Sequence, residues 1–141
     1  MNDADPGYEM EIERGKVREF ASATGSRAPE YLDRTDPPIP ATFLRTDAFW
    51  RPSDAPSPMA GIKLDVARIL HGEQEYVFFG LPPRAGTTLT VRSRLESVTE
   101  KEGKRGGTMR LIVTVEDFFD EEGHLVAQGR STLIETGKAP S

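Results

Sequence analysis

Cysteine is absent from this chain of 141 residues. That excludes a disulfide framework, a thiol nucleophile and thiolate-bound zinc. No run approaches the roughly 20 apolar residues that a membrane-crossing helix needs. The opening residues, MNDADPGYEM, are acidic and lack the apolar stretch of a secretory signal, so the expectation is a soluble, cytoplasmic protein. Basic character is also scarce: the formal charge of -5 argues against nucleic acid, whose phosphates need a concentrated basic surface. Hydrophobic residues make up only 36%, little for a self-sufficient core, so pairing with another subunit would help. Histidine occurs twice, as His71 and His124, which leaves few candidates for a base near neutral pH.

The length suits one domain. Residues 1 to 10 read as a flexible lead-in, 11 to 137 as the domain and 138 to 141 as a tail. Val17, Phe20, Ala21 and Thr24 recur at helical spacing with Gly25 at a stop position, which predicts a helix over residues 14 to 24. SRAPEYLDRTDPPIP reads as a loop, because its prolines break any period. ATFLRTDAFW predicts a short buried helix with Phe43, Ala48, Phe49 and Trp50 as its apolar positions and Pro40 near its first turn.

From Glu73 the pattern changes to period two. EQEYVFFG predicts a short strand, and three longer ones follow. In TTLTVRSRLESVTE, Leu89, Val91 and Leu95 share one face, and the phase slips near Val98, as at a bulge. In TMRLIVTVEDFFD, Met109, Leu111, Val113 and Val115 alternate with Arg110, Thr114 and Glu116, and HLVAQGRSTLIE turns Leu125, Ala127, Gly129, Ser131 and Leu133 inward. KEGKRGG and DEEGH are hairpin loops. The second half is thus an antiparallel meander covered by helical material from the first, an α+β domain.

ERGKVREFASATG, PATFLRTDAFW and the stretch from LHGEQEYVF to STLIETG resemble, in order and spacing, the MaoC-like acyl dehydratases, in particular their fungal-synthase-like N-terminal domain. The resemblance covers residues 11 to 137. It implies a hot-dog fold, a curved antiparallel sheet wrapped around a central helix. It also implies reversible hydration of trans-2-enoyl or 3-hydroxyacyl thioesters of coenzyme A or acyl carrier protein, with no metal or redox cofactor. Active members carry a Gly-Asp-x-Asn-Pro-x-His motif. The matching stretch here, GSRAPEY, keeps Gly25 and Pro29 but places Ser26 at the aspartate, Ala28 at the asparagine and Tyr31 at the histidine. A phenol of ordinary pKa about 10 is a poor base near neutral pH. The dyad is missing, so the resemblance implies an acyl-binding subunit that works with a MaoC-like catalytic partner. A hot-dog acyl-CoA thioesterase and a non-enzymatic acyl-CoA-binding homodimer are the alternatives.

The remaining candidates are weaker. His71 in ILHGEQE sits beside Glu73 and Gln74, but neighbours along a strand point to opposite faces, so a structural or interface role outweighs that of a base. His124 falls in the DEEGH hairpin, facing solvent. Ala41, Thr42 and Phe43 at the entry of the second helix, with Trp50, Gln74 and Tyr76, are the candidates for thioester contact. Phe49, Trp50, Tyr76 and Phe78 read as core filling ahead of an acyl tunnel. Arg92, Arg94, Arg110 and Arg130 read as one solvated face interleaved with Glu96 and Glu116, ahead of a phosphate or carrier-protein site. Lys101, Lys104 and Arg105 make the first hairpin basic. Glu30, Asp33 and Glu73 are the carboxylates a thioesterase would have to use.

Overall fold

A computed structural model describes residues 5–104 and 107–137. Five strands form one antiparallel sheet in the order β1-β3-β4-β5-β2. They are β1 (Tyr8–Glu11), β2 (Ile69–Phe78), β3 (Thr88–Glu102), β4 (Thr108–Phe119) and β5 (Leu125–Glu135). Two α-helices, α1 (Arg14–Ala23) and the single turn α2 (Pro29–Leu32), and a 3₁₀ segment, Phe43–Phe49, precede β2.

The meander and the first helix follow the sequence pattern. α1 buries Val17 and Ala21 four residues apart. It ends where the Thr24 hydroxyl donates to the Phe20 carbonyl (2.9 Å) and Gly25 takes a φ of +80°, a conformation glycine adopts without penalty. The phase slip in β3 is a register shift between Leu95 and Ser97, two residues before the expected point. The hairpin turn between β4 and β5 closes on Gly123 at φ +84°.

Elsewhere the structure corrects the sequence reading. The lead-in is not free to residue 10, because β1 pairs with β3 and places Tyr8 and Met10 in the core. The tail beyond residue 137 and Arg105 of the basic hairpin lie outside the described residues. β2 starts at Ile69, four residues before Glu73, so its first half carries polar residues that an apolar pattern does not mark. The proline-rich loop contains α2, with Pro29 in its first turn, where a missing N–H costs nothing. The buried segment around residue 43 is 3₁₀, held by Phe43 N–H to Pro40 carbonyl (3.0 Å) and Arg45 N–H to Thr42 carbonyl (3.1 Å). Three residues per turn align Leu44 with Asp47 and Phe43 with Thr46, and these four are buried. Phe49 is therefore not core filling: it is 78% exposed, under the Lys16 ammonium, and Ala48 is exposed too.

Cross-strand partners share a face. Val91, Phe118, Ala127 and Phe78 face each other across β3, β4, β5 and β2, and the first three join Phe43, Leu44 and Val17 in the core cluster. Phe20 packs edge-on to Phe43 at 5.5 Å. The 3₁₀ segment thus lies in the concavity of the sheet, with α1 behind it. Arg110 does not share the arginine face. It stands opposite Glu135 on the inner side, whereas Arg94 and Arg130 both flank Val115 on the outer side.

Candidate active-site surface

Moving along the sheet from the core row, the next inner row is Ser93, Glu116, Gly129 and Tyr76, and the one after is Leu95, Thr114, Ser131 and Gln74. Both are mostly polar. The Glu116 side chain, read from sequence as part of a solvated face, is half-buried on the inner side. The alternation in β4 is correct, but the covered face is the one carrying Ile112, Thr114, Glu116 and Phe118.

These rows meet the 3₁₀ segment at Asp47. The buried Tyr8 hydroxyl donates to Asp47 Oδ2 at 2.6 Å, and Arg45 Nη1 lies 3.6 Å from Asp47 Oδ1. The Arg51 guanidinium sits over the Tyr8 ring at 5.8 Å and donates to Ser93 Oγ at 3.2 Å. A Cβ on Gly129 would come within 3.0 Å of Tyr76 Cε1 and 3.4 Å of Glu116 Oε2, so glycine there lets the ring and the carboxyl converge across β5. Burial dominates the electrostatics. Desolvation, reinforced by the nearby Asp47 charge, raises Glu116 to about 7 against the pull of Arg45 and Arg51. Desolvation also raises Asp47, although the Tyr8 hydroxyl and Arg45 stabilise its charged form. It holds the Tyr8 and Tyr76 hydroxyls far above the ordinary phenol range, so both are neutral donors at physiological pH. One neighbour is left without a partner among the described residues: the buried Thr46 hydroxyl.

Of the candidates named from sequence, the fold gathers only Tyr76 into this cluster. Phe43 is fully buried in the core, and Trp50 is half-buried against it. Ala41 and Thr42 are exposed at the entry of the 3₁₀ segment. Gln74 is exposed, accepting from the Ser131 hydroxyl (2.5 Å) and donating to the Arg130 carbonyl (3.4 Å). His71 is exposed on β2 opposite Leu133, with no hydrogen bond or ion pair among the described residues. His124 is exposed and turns its Nδ1 to Asp120 Oδ2 (3.3 Å). Glu30, Asp33 and Glu73 are all exposed. Ser26 accepts from the Ala28 N–H at 3.4 Å beside a hollow of about 130 Å³, and Tyr31 packs against the core cluster. Another hollow, of about 480 Å³, lies across the outer face between Glu9, Thr90, Arg92 and Glu121, away from this cluster.

Sequence reasoning missed Tyr8, Asp47 and Glu116. The available signal was weak: a tyrosine and a methionine two apart at the start, and an acid at the third step of the inner alternation of β4.

Residues 5–129 match the model of the FAS1-like dehydratase domain region. The chain belongs to this family. Proteins described as UPF0336 from Streptomyces griseus and Streptomyces avermitilis are 33% and 35% identical to it, over 92% of this chain and 85% and 87% of theirs. Among solved structures, the C-terminally truncated HadBC (3R-hydroxyacyl-ACP dehydratase) complex from Mycobacterium tuberculosis superposes with a TM-score of 0.69 at 25% identity, covering 89% of both chains. The ChsH1–ChsH2 complex from the same organism gives 0.66 at 16% identity over 96% of this chain and 84% of that one, which speaks to the fold alone. The dehydratase-region chain thus has the MaoC-like hot-dog fold, and the helix expected at its centre is reduced to the 3₁₀ turns of Phe43–Phe49.

Proposed function

We propose that this chain is the acyl-binding, dyad-lacking subunit of an (R)-specific enoyl-thioester hydratase, or 3-hydroxyacyl-thioester dehydratase, and that a MaoC-like partner supplies the aspartate and histidine. The observation carrying this reading is the state of the motif position. Tyr31, where the resemblance expects the histidine, is packed on the core, Ser26 replaces the aspartate, and His71 pairs with no carboxylate among the described residues. Hydration needs a base to activate water at C3, a proton source for the α-carbon and donors for the enolate-like thioester oxygen. At the two motif positions, the Ser26 hydroxyl and the Tyr31 phenol are poor candidates for the first near neutral pH. That the superposed HadBC structure is a complex of two kinds of chain agrees with a divided site. The edge strand β2, whose outer side faces no other described strand, is the surface for pairing.

The test is co-expression with a MaoC-like dehydratase that carries the intact Gly-Asp-x-Asn-Pro-x-His motif, followed by hydration of trans-2-enoyl-CoA. The pair is expected to be active and the isolated chain to fall short by at least a thousandfold. Enzyme-like turnover by the chain alone refutes the reading. A second reading, thioester hydrolysis, draws on Glu116, a half-buried carboxyl at about 7, near the value wanted of a general base. Release of free coenzyme A from acyl-CoA by the purified chain would select it.

A further inference from the structure

A groove for a plain alkyl tail is best lined by aliphatic and aromatic side chains, because a polar group that the tail buries without a partner costs about 1–3 kcal/mol. The inner face here departs from that rule beside the core. Phe118 and Ala127 give way, one step along the sheet, to Glu116 and Gly129, and Phe78 gives way to Tyr76. In these rows Ser93 is engaged by Arg51, and Ser131 and Gln74 by each other. Glu116 and Tyr76 make no hydrogen bond or ion pair among the described residues. Gly129 between them lets the ring and the carboxyl converge across β5, where a methyl group would crowd the Tyr76 ring at 3.0 Å.

We infer that Glu116 and Tyr76 form an oxygen-reading site for the acyl chain, so that the preferred acyl group carries a further hydroxyl or keto oxygen beyond C3 rather than being a plain alkyl chain. This rests on the proposed acyl-thioester function and names the substrate class within it. The tyrosine hydroxyl donates to a keto or hydroxyl oxygen. The glutamate accepts from a hydroxyl when ionised and donates to a keto oxygen when protonated. A plain chain in the same place would strip water from both groups and return nothing. Sites built to hydrogen-bond a ligand discriminate against the analogue that lacks the group far better than apolar pockets reject an extra one.

The experiment measures binding of dodecanoyl-CoA, and of hydroxydodecanoyl- and oxododecanoyl-CoA isomers with the oxygen at successive carbons beyond C3. Both the purified chain and its complex with the co-expressed dehydratase are titrated. At one or two positions the oxygenated chain is expected to bind at least tenfold tighter than the plain one. Tyr76→Phe, which removes only the hydroxyl, and Glu116→Leu should each bring that ratio towards one, and Glu116→Gln, which still donates and accepts, should retain it. Circular dichroism melts confirm that each variant is folded, and Tyr76→Phe decides the matter if Glu116→Leu does not fold. Equal or tighter binding of dodecanoyl-CoA at every position overturns this inference and leaves the proposed function standing. A preference that survives both substitutions overturns the assignment to these residues. If no thioester binds to either sample, the proposed function falls and the inference with it.

Discussion

Glu116 has opposite consequences for stability and for function. Its folded pKa, about 7, lies above the ordinary carboxyl value of 4.5, because burial disfavours the charge. Between those values the folded state holds a proton that the unfolded state has released. This group therefore makes stability fall as pH rises from about 4.5 to about 7, and leaves the full penalty in place above that. A glutamine mimics the protonated form. Glu116→Gln should stabilise the protein by about 2–3 kcal/mol at pH 8 and by almost nothing at pH 4.5, as read from urea unfolding at both values. A variant no more stable than the parent at pH 8 would mean that the carboxyl is better hydrated than its position on the inner face implies. Asp47, also raised, adds to the same trend. Glu135 works against it. The Asp65 N–H donates to its carboxylate at 2.7 Å, and with Arg110 and Arg68 holds its pKa below the usual range. The stability Glu135 contributes is present above its unfolded pKa and is lost as pH falls through the folded one, so the difference between parent and Glu116→Gln, rather than either curve, isolates Glu116.

Among the elements, the hairpins and strands are locally determined and the 3₁₀ segment is not. The turn between β4 and β5 is set by its own residues. The Asp120 carboxylate accepts from the N–H groups of Glu122 (3.0 Å) and His124 (2.8 Å), and Gly123 supplies the positive φ. Gly123→Ala should cost about 1 kcal/mol, a drop in melting temperature of about 2–4 °C, with the fold unchanged by circular dichroism. A smaller drop would show that the turn relaxes to another type. The stretch 43 to 49 reads as an apolar helix, yet Phe49 is outside and Asp47 inside. The helical repeat that ranks apolar residues inward fails because the segment winds at three residues per turn, and because a partner for Asp47, the Tyr8 hydroxyl, comes from 39 positions away.

At the scale of the molecule, the sheet ends at β2, a ten-residue edge strand with most side chains exposed. Leu95 and Val98 on the inner face are 40% and 42% exposed as well. Open edges and uncovered apolar side chains favour association. In the complex with a dehydratase partner, backbone amides of residues 74 to 79 should exchange with deuterium at least tenfold more slowly than in the isolated chain, while those of the hairpin at residues 120 to 124 should not change. Unchanged exchange along β2 in an intact complex would move the pairing surface elsewhere.

The sequence by itself determined the order of the first helix and the last four strands, the alternation of β3, β4 and β5, the end of the first helix at Gly25 and the substitutions at Ser26 and Tyr31. Each of these is written in neighbouring residues, through spacing, turn chemistry or the identity of a side chain. Only the tertiary structure decided which face of β4 is covered, because both faces carry aliphatic residues and the choice is made by what packs over them. It also decided that Tyr8 belongs to the core and that Asp47, Tyr76 and Glu116 are neighbours. They perturb one another because strands and a 3₁₀ turn distant along the chain remove the same volume of water, and burial of that kind leaves no local pattern to read.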